Sequence, residues 1–366
     1  MDKDEILYLI ALLKVENIGP ILAKNLIQAF GNVREVFHAK KSDFLRVPKI
    51  GEKTAKDLSN LPKYIHDAEK TLQQCEKYGI QVISYQSEEY PSILLEIYDS
   101  PLVLYCKGFV NKHLWGVGIV GTRSATEYGK NQTYQLVETL VQNEITVISG
   151  LATGIDSYAH KKCVELKAKN IAVIACGLDS IYPRHHENLA YEIILHGGAL
   201  ISEYPPGAKV KPMNFPLRNR IISGLSKAIV VVESGEKGGA LITAHYAFEQ
   251  NREVWAIPGK ITDKKSMGCN LLIQKNIAQI YTHPSDVLQS LRLPFEKKTQ
   301  LIPQTLFIEL SPEEETVFSC IPTDGIDLDS LIVKTELETT LLLSTLLSLE
   351  IKGLIEQLPG KKIIKK

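Results

Sequence analysis

"FPLRNRIISGLSKAIVVVE", residues 215–233, contains an unbroken β-branched run from Ile229 to Val232. An apolar run without alternation belongs to a strand covered on both faces, which places it centrally in a parallel sheet. Arg218, Asn219 and Arg220 stand just ahead of that strand. Two arginines so close to a core read either as surface solvation or as a site for an anion. Outward from this stretch the strand pattern recurs in VGIV (117–120), ITVIS (145–149), IAVIAC (171–176), ALISEY (199–204), AIVVVE (228–233) and EVWAIP (253–258). Segments between them, such as "YGKNQTYQLVETLVQN" and "HENLAYEIILHG", space their apolar residues helically. The alternation predicts an α/β fold, a doubly wound and mostly parallel sheet over 71–290, with 71–110 as its lead-in.

The remainder forms two flanks. Residues 1–70 read as short helices with an internal echo: "NIGPILAKNL" (17–26) and "KIGEKTAKDL" (49–58) both fit I-G-x-x-x-A-x-x-L. A turn glycine followed by a helix packed through a small alanine outlines a tandem helix-hairpin-helix (SAM-like) domain, whose helix N-terminal amides can hold a phosphate. Such pairs also serve as packing or protein-contact modules, and DNA contact here stays open. Residues 291–305 read as a linker. Over 306–366, Ser311 and Glu314 occupy capping-box positions before a helix. Two more helices, then a hairpin turning at Pro359-Gly360, complete a winged-helix outline.

Lys+Arg and Asp+Glu balance at 42 each, so any nucleic-acid site must be a local patch rather than a global field. With 44% hydrophobic and 23% charged residues, the composition is that of an ordinary soluble globular protein. The six cysteines (75, 106, 163, 176, 269, 320) include no CxxC pair, which points to reduced thiols rather than disulfides or zinc. The N-terminus lacks a basic n-region and a cleavage site, and its apolar run is too short to span a membrane. A cytoplasmic protein with no membrane partner is expected.

In an open α/β sheet, ligands collect at the carboxyl ends of the strands. The exit stretches here are "GTRSAT", "GLATGID", "GLDSIYP", "PPGAKVKPMNFPLRNR" and "SGEKGGALITA". Glycines such as Gly121, Gly150, Gly154, Gly238 and Gly239 let a backbone approach a phosphate, and helix N-termini supply amide donors. Thr122 and Arg123 lie in the first exit loop, and Lys211 and Phe215 precede the 218–220 trio. That trio is read near the start of a helix that turns Ile221, Ile222 and Leu225 inward. Cations there oppose the helix dipole unless an anion lies between them and the amides. Phe215 reads either as core packing or as a stacking face. Phosphate clamps beside a stacking ring suit single-stranded nucleic acid.

Two patterns mislead. "GVGIVG" (116–121) matches G-x-G-x-x-G, but its first two glycines fall before or inside the strand, and the next strand ends at Ser149 where a dinucleotide site expects an acid. His185 and His186, beside Asp179 and Glu187, lack the ligand ladder of a metal shell. Ser149, Ser223 and His160 show no triad spacing. No catalytic residue, metal or cofactor is expected; the chain has no G-x-x-x-x-G-K-[ST] for ATP.

The stretches "VGIVGTRSAT", "SGLATGIDSYAH", "CGLDSIYP", "ISEYPPG", "FPLRNRIISGLS", "VVVE…GGALITA" and "WAIPG…GCNLLI" closely resemble the DNA-processing protein A (DprA/Smf) family, in order over roughly 115–275. The resemblance implies a Rossmann-like central domain between the helical front and a winged tail. It also implies a non-enzymatic single-stranded DNA binder of natural transformation, working as a homodimer and helping load the RecA recombinase past single-strand-binding protein. The family's basic pocket falls on Gly121, Thr122, Arg123, Lys211, Phe215, Arg218, Asn219 and Arg220, and its dimer surface near Asn270, Leu271, Leu272, Ile273 and Gln274. The tail departs from a duplex reader: its third helix opens with "ELETT" and is otherwise Leu-rich, which favours protein contact. The closing "KKIIKK" offers weak non-specific attraction. The rival reading is a nucleotide phosphoribohydrolase-like enzyme of similar sheet type. Against its P-G-G-x-G-T-x-x-E pattern, "EKGGALIT" lacks the third glycine and the acid.

Overall fold

The computed structural model describes residues 3–291, 310–322, 325–335, 337–352, 354–358 and 362–365. The chain divides into two compact units, Met1–Leu293 and Pro294–Lys366. Most of the expected linker, the Pro359-Gly360 turn and the outer lysines of "KKIIKK" lie outside the described residues.

The first unit is built on a nine-stranded sheet: β1 (Gln81–Ser84), β2 (Val103–Gly108), β3 (Gly116–Val120), β4 (Thr146–Ser149), β5 (Asn170–Ile174), β6 (Ala199–Ser202), β7 (Ala228–Val231), β8 (Glu253–Ala256) and β9 (Gln279–Ile280). The order is β1-β2-β6-β5-β4-β3-β7-β8-β9. Strands β3 to β9 run parallel, and β2 pairs antiparallel with both β6 and β1. The six strands expected from the sequence are all present; β1, β2 and β9 are additions at the two edges. From β3 the chain winds one way to β6, then returns to place β7 on the other side of β3. Gly116 and Gly118 lie inside β3, so the G-x-G-x-x-G match carries no phosphate turn.

Helices cover both faces, which is why the strands read as continuous apolar runs. Ile148, Ile229 and Val231 pack on one face against Ile221, Ile222, Ala240 and Ala244 of the helices Asn214–Gly224 and Gly239–Glu249. Their neighbours Val147, Ala228 and Val230 point to the other face, against Leu136, Leu140, Ile155 and Ala159 of the helices Glu127–Gln142 and Ile155–Glu165.

The front helices belong to the same unit. Gly19 and Gly51 are the N-caps of the helices Pro20–Phe30 and Glu52–Leu58, and the echoed Ala23, Leu26, Ala55 and Leu58 are all buried. Their core continues into Val103, Tyr105, Ala172, Ile174 and Leu200 of the sheet.

In the second unit, the helices Pro312–Cys320, Leu328–Thr335 and Thr339–Ile351 accompany an antiparallel sheet of β10 (Ile326–Asp327), β11 (Ile355–Leu358) and β12 (Lys362–Lys365). The expected capping box forms between Ser311 and Glu314. Glu314 also accepts from Ser348 Oγ and Lys352 Nζ at 2.6 Å each, which holds its carboxyl down at about 2. The third helix leaves Leu341, Leu343 and Leu347 exposed, an outward face suited to apolar contact rather than to phosphates.

Candidate nucleic-acid interface

A cleft of about 780 Å³ opens at the carboxyl ends of β3 and β7, where the winding direction reverses. This is the crevice in which open α/β sheets hold ligands. Its walls include Gly121, Thr122 and Arg123 after β3, Ser234, Gly235, Gly238 and Gly239 after β7, and Phe215, Arg218 and Asn219 from the helix Asn214–Gly224. Tyr182 closes one side from the loop after β5.

The Arg123 loop is braced by one buried acid. Glu233 accepts from the Thr126 amide at 2.9 Å and from the Thr126 hydroxyl, while its own carbonyl accepts from the Thr122 amide at 2.8 Å. Gly121 is required there, since a Cβ would lie 2.5 Å from Ile155 Cγ1 and 3.1 Å from the Glu233 carbonyl. Arg123 itself is exposed. Its guanidinium sits 5.5 Å from the centre of the Phe215 ring, and that ring meets Tyr182 edge-on at 5.7 Å. A cation with no ion-pair partner among the described residues therefore stands beside an aromatic ledge at the mouth of the cleft. On the opposite wall, Gly238 caps the helix Gly239–Glu249 and turns amide donors toward the same space.

Arg218 has a different character. It is buried and occupies the second turn of its helix, not the first turn that the sequence implied. Its Nη1 donates to the Gly150 carbonyl at 2.7 Å and to the Val173 carbonyl, and its Nε donates to Asn219 Oδ1 at 3.1 Å. Burial pushes the guanidinium down to about 10, opposed by Asp156. Burial likewise pushes the Asp156 carboxyl up, opposed by Arg218 and by backbone amides including Gly150. Arg218 is thus both a cleft wall and a tie between the ends of β4 and β5.

The expected set does not all converge. Arg220 does not line the cleft: its Nε meets Asp99 at 3.0 Å, and its Nη2 meets both oxygens of Glu203 at 2.7 and 2.8 Å. Residues two apart on a helix point to opposite sides, so the paired arginines cannot share one anion. Lys211 is exposed between two wall residues, Val210 and Pro212, but is not itself part of the wall. Gly150 and Gly154 lie behind the cleft. Gly150 makes room for the Arg218 guanidinium, and Gly154, at φ +85°, lies against the Arg123 backbone. Within the surface segment 270–274, Leu272 packs into the core and Asn270 exchanges hydrogen bonds with Gly259, while Gln274 is exposed. Three site residues were missed: Tyr182, Asp156 and Glu233. The one local signal was Tyr182 in "GLDSIYP", an aromatic in a strand-exit loop.

Comparison with known proteins places this geometry. A family model described as DNA recombination-mediator protein A matches residues 81–292, more than half of the chain. The chain belongs to the DNA-processing protein A (DprA/Smf) family. The DprA winged helix domain matches 303–361, and a SAM-like helix-hairpin-helix tandem matches 9–59. Protein Smf of Synechocystis is 32% identical over 99% of both chains, and DprA of Bacillus subtilis is 41% identical over 61% of this chain and 75% of that one. The X-ray structure of DprA from Streptococcus pneumoniae aligns with a TM-score of 0.65 at 31% identity, covering 77% of this chain and 97% of that one. DprA of Helicobacter pylori, solved in a study of its single-stranded DNA binding mode, aligns at 0.52 with 27% identity, over 58% of this chain and 96% of that one. Among the described residues, no helix is long and apolar enough to cross a membrane.

Proposed function

We propose that the cleft binds single-stranded DNA without strong sequence preference. The observation that carries this reading is the exposed Arg123 beside the Phe215–Tyr182 ledge, facing amide donors across the switch point of the sheet. A phosphate would meet Arg123 and the first amides of the helix Gly239–Glu249, while a base stacks on Phe215. Arg218 contributes field from within the wall rather than a flexible clamp. The single-stranded DNA binding mode described for the Helicobacter pylori relative supports the same ligand.

In this reading the chain acts in DNA processing during transformation and recombination. It works as a homodimer through the exposed side of the 270–274 segment, handing strands from single-strand-binding protein to RecA. It needs no cofactor and turns over no substrate. Removing the Arg123 charge should weaken binding across all sequences and reduce the log–log salt dependence by about 0.7, the share of one phosphate on a single strand. A salt-controlled mobility-shift series on Arg123→Ala checks this; parent-like affinity and slope would place the site elsewhere. Release of free base from nucleoside monophosphates would replace the binding reading with a hydrolase.

A further inference from the structure

A second pocket, of about 240 Å³, lies at the opposite end of the sheet. Its walls come from the β2–β3 connection (Phe109, His113, Trp115) and from residues at the amino ends of β4, β5 and β6. The two ends are separated by the length of the strands, about 17 Å for five residues at about 3.3 Å each. The connection is pinned at both ends: the Phe109 amide donates to the Gly198 carbonyl at 3.3 Å, and the Trp115 carbonyl accepts from the Thr146 amide at 2.9 Å. The floor is the bare Gly197–Gly198 backbone, and the Lys169 stem lies over Gly197.

Phe109 is 64% exposed and Trp115 38% exposed. A single exposed aromatic is ordinary, but here two aromatic side chains border one pocket. The cations stand beside it: Lys227 Nζ is 5.5 Å from the Trp115 ring, and Lys169 is a wall residue. Neither lysine has an ion-pair partner among the described residues. Glu144 is the carboxylate on the wall, and His113 the imidazole. Aromatic faces interleaved with free ammonium groups are the chemistry of a base with its flanking phosphates.

We propose that this pocket is a second contact for a single-stranded nucleic acid, with Trp115 and Phe109 taking a base and Lys169 and Lys227 the adjacent phosphates. The choice of a strand over a free nucleotide rests on the function proposed for the cleft; the pocket chemistry does not.

Trp115 reports on its own site, because the second tryptophan, Trp255, is buried. Oligothymidylate titrated into the full chain should quench emission. Trp115→Phe should remove that quench, and Arg123→Ala should retain it. Phe109→Ala should raise the concentration needed for the quench by about 5- to 100-fold, the range of one lost base stack, and Lys169→Ala with Lys227→Ala should raise it while lowering its salt dependence. Thymidine monophosphate at equal nucleotide concentration should leave emission unchanged. Absent quench with an intact Arg123-dependent mobility shift would overturn the second contact and leave the cleft standing. Quench without any Arg123 dependence of binding would do the reverse. Equal quench by the monophosphate would overturn the strand in favour of a free nucleotide.

Discussion

Arg218 Nη1 donates to the Gly150 carbonyl at 2.7 Å, and a Cβ on residue 150 would lie 2.6 Å from Nη2. The glycine and the guanidinium therefore occupy one space, and neither can change alone. Gly150→Ala should destabilise the first unit by about 1–3 kcal/mol, the usual cost of overpacking. Arg218→Ala should cost about 1–3 kcal/mol, because it leaves the Gly150 and Val173 carbonyls without their buried donor. Urea unfolding measures both. Loss of DNA binding in Arg218→Ala is interpretable only alongside that measurement.

Phe215 and Tyr182 meet edge-on, with Arg123 over the Phe215 ring. Phe215→Ala should reduce single-strand affinity by about 5- to 100-fold without changing the order of preference among sequences. Tyr182, 47% exposed, should show the smaller loss of a supporting ring. Fluorescence anisotropy on homopolymeric strands checks the ranking, and a Tyr182→Ala loss exceeding that of Phe215→Ala would reverse the roles.

Arg220 answers two carboxylates outside the cleft. Arg220→Ala should lower stability by about 3 kcal/mol, the lower end for a broken buried pair because Asp99 keeps a third of its side chain exposed. DNA affinity of the folded variant should match the parent. Thermal melting and a mobility shift on the same preparation separate the two effects; weakened binding by a fully folded variant would return Arg220 to the site.

His160 gives a pH signature. Burial pushes its imidazole down to about 4, against about 6.5 in an unfolded chain. The unfolded state therefore binds the extra proton between those values. The contribution is fully present above pH 6.5 and is lost as pH falls toward 4, at about 1.4 kcal/mol per pH unit. His160→Gln should flatten that part of the stability profile, read by urea midpoints at pH 7 and pH 5. An unchanged slope would assign the acid sensitivity to other groups.

The sheet was legible because both of its faces are covered. The inner parallel strands are largely apolar, as at Ile229–Val232, and need no partner to be recognised. β1 and β9 escaped because they are short edge strands, defined by pairing rather than by an apolar run, whereas β2 has an apolar run at Val103–Cys106 but pairs antiparallel, outside the βαβ rhythm. Part of the cleft was legible too, since Arg123 and the glycine loops follow directly from strand ends. Arg220 misled by its nearness to Arg218 in sequence. Helical geometry alone separates the two side chains, but the carboxylates that claim Arg220 come from residues 99 and 203, which the fold alone brings together. Glu233 and Asp156 were invisible for the same reason: each acts on a backbone group far along the chain or behind a turn.

The front helices and the sheet share apolar neighbours, with Leu9 and Leu26 in the same cluster as Tyr105 and Ile174. A boundary drawn near residue 70 from sequence repeats therefore runs beside an apolar cluster shared by both sides. Shortening the protein to its strand-bearing portion would wet a wall of tyrosine, valine and isoleucine that has no polar alternative. The helix-hairpin-helix tandem thus roofs part of the sheet's own interior.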